Sequence, residues 1–123
     1  MSAQKDRVTI ATWNVNGLRA RAERVGAWID AANPDVLLLQ ETKCDPDQVP
    51  ADLFASRRYE WCADGARGRN GVLIASRIGL DPSDERLASN ASPSSEADLV
   101  AEPRFISAVC DRLRIASIYA PHG

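Results

Sequence analysis

The spacing of apolar residues changes along the chain, and each spacing predicts a different element. Val8-Thr-Ile-Ala-Thr-Trp13 is rich in β-branched residues and reads as a first strand. Asn14-Val15-Asn16-Gly17 then turns the chain. Leu18, Ala22, Val25, Ile29 and Ala32 recur at helical spacing with charges between them, and Trp28 widens that apolar face. Asn33-Pro34 stops the helix, because a residue before proline is pushed out of the helical region. Val36, Leu37, Leu38 and Leu39 follow without a polar break, as in a strand buried on both faces. Strand, helix, strand is a βαβ unit, which implies a parallel pair with a right-handed crossover. Neighbouring strands lie roughly 4.8 Å apart. Asn14 and Glu41, each just past a strand end, can then share one ligand.

Downstream the pattern favours hairpins. Cys44 to Pro50 reads as a loop and Ala51 to Ser56 as a short helix. Tyr59 to Ala63 and Val72 to Ala75 read as strands flanking a flexible, glycine-rich loop, Asp64 to Gly71. Ser76 to Glu102 has no clear period and reads as a surface excursion. Arg104 to Cys110 and Leu113 to Tyr119 form a second hairpin around a two-residue turn, Asp111-Arg112. The fold class expected is α/β, one βαβ unit followed by antiparallel hairpins.

Composition narrows the possibilities. A chain of 123 residues, 45% hydrophobic and 26% charged, is expected to form one globular domain. No apolar run approaches a membrane span and Met1 to Arg7 is polar, so a cytoplasmic protein without a membrane partner is expected. Three well-separated cysteines, Cys44, Cys62 and Cys110, fit neither a disulfide framework nor zinc spacing and read as reduced structural thiols. A net charge of −2 argues against a nonspecific nucleic-acid coat but leaves room for a DNA enzyme, whose metal site needs carboxylates. Positive charge is nearly all arginine and gathers at Arg19, Arg21, Arg24 and at Arg67, Arg69.

Gln40, Glu41, Thr42 and Lys43 form a polar cluster at the carboxyl end of the buried strand, where open α/β sheets place ligand chemistry. An arbitrary glutamate is a solvated one, yet Glu41 faces a second polar strand end and is the strongest candidate. A hard cation such as Mg²⁺ takes oxygen ligands and often needs one or two protein carboxylates. Asn14 and Asn16 also read as ordinary turn residues. Tyr119 reads as a buried strand-end ring, or as a hydroxyl aimed at a phosphate oxygen. Arg67, Arg69 and Arg104 are solvated or, beside glycines, contact phosphates. His122, the one histidine, is best read as a loop residue.

Trp13-Asn14-Val15-Asn16-Gly17-Leu18-Arg19 and Leu39-Gln40-Glu41-Thr42-Lys43 together resemble the exonuclease III family of abasic-site DNA endonucleases, within the endonuclease/exonuclease/phosphatase superfamily. Gly68-Arg-Asn-Gly71-Val72 resembles that family's Gly-x-x-Gly-Val segment. Glu102-Pro-Arg104 resembles its Glu-x-Arg stretch, and Tyr119-Ala-Pro121-His-Gly123 its Tyr-x-Pro-x-Gly strand end. The resemblance implies a four-layer α/β sandwich and hydrolysis of a DNA phosphodiester beside an abasic site, with 3′→5′ exonuclease activity, in base-excision repair. Mg²⁺ is the implied cofactor, with Mn²⁺ as the alternative, and double-stranded DNA with abasic sites or 3′ ends the implied partner of a monomeric full-length enzyme. It maps metal binding onto Asn14 and Glu41, site support onto Asn16, and a catalytic tyrosine onto Tyr119. Lys43 and Arg104 map onto the DNA-facing side, which the charge pattern extends to Arg67 and Arg69.

The family's downstream Gly-Asp-Phe-Asn and Ser-Asp-His segments do not occur in this sequence. The expectation is therefore that residues 1–123 are the N-terminal portion of one such domain, truncated after Gly123 and inactive alone, with apolar surface left exposed. Two other readings stand beside it: a catalytically dead module that binds DNA or a partner, and a superfamily phosphodiesterase acting on substrates other than nucleic acid.

Overall fold

The computed structural model describes residues 7–66, 69–82 and 105–119. Arg67, Arg104, His122 and the surface excursion after Pro82 lie outside the described residues, as does the side chain of Arg69.

Strand β1 (Ile10–Asn14) leads through a 3₁₀ turn (Arg19–Arg21) into helix α1 (Ala22–Ala32) and then strand β2 (Val36–Gln40). β1 and β2 pair in parallel, Ile10 opposite Val36 and Asn14 opposite Gln40. Asp35 helps fix that register, since its Oδ2 accepts the Thr9 N–H at 2.8 Å. α1 stops as expected: Asn33 adopts a left-handed conformation (φ 52°) and donates its N–H to the Ile29 carbonyl. Leu18 belongs to the apolar face of this segment but precedes the helix, which begins only at Ala22. Ala32 and Trp28 are exposed, and the Trp28 ring lies tilted against Trp13 of β1, with centroids 5.6 Å apart.

After a second 3₁₀ turn (Pro46–Gln48) and the short helix α2 (Ala51–Ala55), β3 (Glu60–Ala66) and β4 (Arg69–Ser76) form an antiparallel hairpin. Here the expectation of a flexible loop over 64–71 is corrected. Pairing extends through Asp64 opposite Val72 and on to Ala66 opposite Arg69, with an irregularity between. Main-chain ladder bonds sustain these strand ends where the side chains carry no apolar alternation. β4 also pairs antiparallel with β2, which gives a mixed sheet in the order β1-β2-β4-β3.

A second sheet comprises β5 (Asp81–Pro82), β6 (Phe105–Cys110) and β7 (Leu113–Ile118), in that order. β6 and β7 form the expected two-residue hairpin, with Cys110 opposite Leu113 and Asp111 left-handed at φ 56°.

Alternation along β2 separates two cores. Leu37 and Leu39 face the helices and pack with Val25, Ile29, Phe54, Leu73 and Ala75. Val36 and Leu38 face the second sheet and meet Ile74, Ala108, Cys110 and Ile115. The layers are thus helix, sheet and sheet, an α/β arrangement as expected. On β1 the face turned the same way as Val36 carries Ile10, which is 45% exposed, and Ile118 on β7 is 49% exposed. Both lie on strands that end their sheets. Among the described residues, no helix is long and apolar enough to cross a membrane.

Leu39 is fully buried between β2 and the helices. Leu39→Ala is expected to destabilise the fold by about 3 kcal/mol, because truncation leaves a cavity as well as losing transfer energy. Ile10→Thr at the open edge is expected to change stability by no more than about 0.5 kcal/mol. Urea unfolding of the two variants checks both.

Candidate active site

The pairing of β1 with β2 does not stop at the sheet edge. The N–H of Val15 donates to the Gln40 carbonyl at 3.0 Å, that of Gly17 to Glu41 at 2.8 Å and that of Leu18 to Thr42 at 2.9 Å. The start of β4 joins them: the Thr42 N–H donates to the Gly71 carbonyl (3.2 Å) and the Lys43 N–H to the Asn70 carbonyl (2.7 Å). The backbone bends where these three segments meet. Asn16, Glu41, Lys43 and Asn70 all have φ between 47° and 55°, the left-handed region that side chains ordinarily avoid.

The bends separate the polar cluster into two sets. Gln40 and Thr42 are buried. Gln40 Nε2 donates to Thr12 Oγ1 (2.9 Å) and to Ser117 Oγ (3.1 Å), and Ser117 Oγ donates to the Leu39 carbonyl (2.9 Å). These bonds tie the second sheet to the site end of β2. Thr42 lies under Gly71, whose φ is +95°, and a Cβ on Gly71 would run into Thr42 Oγ1. Neither role was apparent in the sequence; the signal was the alternation of Gln40 and Thr42 with Glu41 and Lys43.

Glu41 and Lys43 reach the surface with Asn14 and Asn16. Asn14 Nδ2 donates to Glu41 Oε2 at 2.6 Å, and Asn14 Oδ1 accepts the Asn16 N–H at 3.1 Å. Because a backbone N–H can only donate and a carboxylate only accept, these two bonds settle which way the Asn14 amide points. Lys43 Nζ donates to Asn16 Oδ1 (2.6 Å) and lies 3.8 Å from Glu41 Oε1. Arg21 Nη1 donates to the Asn16 carbonyl at 2.6 Å, and Arg19 Nη2 to the Lys43 carbonyl at 3.5 Å. The structure therefore unites four of the anticipated residues, Asn14, Asn16, Glu41 and Lys43, and adds Arg21, which the sequence offered only as part of a basic cluster.

Tyr119 directly follows β7 and is half-buried. It shares its strand face with Ile115 and Ser117. Ile115 packs with Val36 and Ser117 bonds at Leu39 and Gln40, so β7 runs toward the Glu41 end of β2 and Tyr119 emerges there.

Glu41 and Asn14 bring a carboxylate and a carboxamide side by side, and their oxygens are of the type that suits a hard divalent cation completed by water; here Asn14 turns Nδ2 toward Glu41 and Oδ1 toward the Asn16 N–H, so joint ligation requires the amide to turn over. Glu41 Oε1 faces Lys43 Nζ in a long contact of 3.8 Å. No group of three or more His, Cys, Asp or Glu side chains converges anywhere among the described residues. Cys44, next in the chain, is buried, and burial raises its thiol pKa; a thiolate nucleophile is not available there.

With this geometry in view, a family model described as Endonuclease/Exonuclease/phosphatase family matches residues 11–105. The DNA repair nuclease APEX1 of Danio rerio is 45% identical over 70 residues, covering 53% of this chain and 23% of that protein. Exodeoxyribonuclease III of Haemophilus influenzae is 28% identical over 116 residues, covering 91% of this chain and 41% of that protein. The solved AP endonuclease of Archaeoglobus fulgidus superposes with a TM-score of 0.75 at 33% identity, over 94% of this chain and 42% of that one. The chain thus spans less than half the length of the relatives it matches.

Gly71→Ala is expected to break the three-segment junction, since it adds a strained backbone to a clash with Thr42. A loss of about 2 kcal/mol or more is expected in denaturant unfolding. Amide exchange should show Thr42 and Lys43 losing protection while β2 keeps it.

Proposed function

From a chain that belongs to the Endonuclease/Exonuclease/phosphatase family, we propose a part in metal-dependent hydrolysis of DNA phosphodiesters during DNA repair. The observation that carries this reading is the junction of two parallel strand ends. It sets the Asn14 amide 2.6 Å from the Glu41 carboxylate with the Lys43 ammonium alongside. Relatives named as a DNA repair nuclease, an exodeoxyribonuclease and an AP endonuclease support DNA as the substrate class, and the form we propose is double-stranded DNA with abasic sites or 3′ ends.

Glu41 and Asn14 would hold the divalent cation, Mg²⁺ or Mn²⁺, which neutralises charge on a phosphodiester and its leaving oxygen when bound. Asn16 supports that pair through its N–H. Lys43 supplies a positive charge for a phosphate, and Arg67, Arg69 and Arg104 extend that role along the DNA backbone. Tyr119 donates its hydroxyl to a phosphate oxygen. None of these groups is a base suited to taking the proton from an attacking water. The second reading follows from that: a module that binds DNA at this face without cleaving it.

A duplex with one abasic site, an intact duplex and a small phosphodiester, each incubated with the protein at its natural length, distinguish the cases. Metal-dependent cleavage of the abasic duplex supports the nuclease. Binding without cleavage supports the module, and preference for the small diester would move the substrate outside nucleic acid.

Glu41→Gln is expected to abolish that cleavage at saturating Mg²⁺ with the unfolding midpoint retained. Tyr119→Phe is expected to lower kcat by roughly tenfold or more with KM nearly unchanged, as for a contact made mainly in the transition state. Steady-state kinetics of the variants provide the check.

A further inference from the structure

Asn16 is engaged through its N–H, its carbonyl and its side-chain oxygen. Its N–H donates to Asn14 Oδ1, its carbonyl accepts from Arg21 Nη1 at 2.6 Å, and its Oδ1 accepts from Lys43 Nζ at 2.6 Å. Lys43 is tied at its other end as well, through its N–H to the Asn70 carbonyl. With backbone and ammonium both held, the charge of Lys43 stands 3.8 Å from Glu41 Oε1.

The side chains of Lys43 and Glu41 are 44% and 23% exposed. A wet ion pair of this kind contributes little to stability. Its effect on binding is another matter, because the two oxygens of Glu41 are differently engaged. Oε2 receives the Asn14 amide, and Oε1 faces the ammonium. A cation approaching Oε1 meets a fixed positive charge already in place.

We propose that Lys43 is a resident counter-ion of Glu41, parked by Asn16 and Arg21, which competes with a divalent cation for the same carboxylate. This rests on the reading of Glu41 as a cation-holding residue. Without a cation, the ammonium and the carboxylate neutralise each other, and the face offers a phosphate little attraction. Once a cation takes over the carboxylate, the ammonium is released from its partner and both positive charges are available to the phosphodiester. Lys43 thereby couples cation binding to phosphate binding, and its cost is a weaker affinity for the cation alone.

Calorimetric titration of Mn²⁺ and Mg²⁺ into the protein at its natural length, without DNA, tests this. Lys43→Met is expected to bind the cation about tenfold tighter, the order expected for removing one partly screened charge a few ångströms away. Lys43→Arg keeps the charge and should stay within about twofold of the unaltered protein. Arg21→Met, which loosens Asn16, should shift affinity in the same direction as Lys43→Met by a few-fold; no shift removes Arg21 from the proposal. Unchanged or weaker binding in Lys43→Met, or equal tightening by Met and Arg, overturns the competition. Glu41→Gln is the control for the underlying reading: it should lose the cation. If it binds as the unaltered protein does, or if the unaltered protein binds none, the functional reading falls instead.

Discussion

Three backbone hydrogen bonds, from Val15, Gly17 and Leu18 to the carbonyls of Gln40, Glu41 and Thr42, carry a parallel strand pair beyond its own sheet. The first joins Val15 to Gln40 at the end of β2 and the other two join residues after β1 to residues after β2, so the loops inherit the register of the strands. That inheritance is what brings Asn14 to Glu41 and Asn16 to Lys43, residues separated by the whole of α1. The crossover helix has to return the chain to a neighbouring parallel position, and the packing of Val25 and Ile29 on Leu37 and Leu39 holds it there. The chemistry at the strand ends thus depends on a packing decision made on the opposite face of β2.

Keeping that register in the loops has an energetic cost. Non-glycine residues in the left-handed region cost about 1–3 kcal/mol each where the surroundings force them, and Asn16, Glu41, Lys43 and Asn70 are all so placed. The offset comes from the bonds themselves, since a buried backbone group without a partner costs about 1–3 kcal/mol. Gly71 completes the arrangement by leaving room for Thr42. Strain and pairing are therefore shared among three segments, and the junction is formed as a unit.

Much of this was readable from the residues. Helical spacing in 18–32, the Asn33-Pro34 stop and the unbroken Val36–Leu39 run were enough to infer adjacent parallel strands. The motifs at Trp13–Arg19 and Leu39–Lys43 pointed to the family. What escaped had no side-chain signature. The β3 and β4 ends pair through Asp64, Ala66 and Arg69, where the ladder is sustained by backbone groups common to every residue. The insertion of β4 between β2 and β3 is a long-range choice that no local period encodes. Arg21 stood out only as one member of a basic cluster, because a guanidinium bound to a main-chain carbonyl depends on the shape of the turn it spans.

The three cysteines divide between the two cores: Cys44 among the helices, Cys62 and Cys110 between the sheets. Burial raises all three thiol pKa values, that of Cys62 to about 11. At neutral pH they are therefore protonated, and the thiolate is the reacting form. Cys44 and Cys110 are buried as well, so their alkylation must wait for the chain to open. Cys44 then times the loosening of the helix layer behind the strand-end loops, while Cys110 times the parting of the sheets. The molecule carries two internal clocks, and their agreement or divergence would tell whether it opens in one motion or layer by layer.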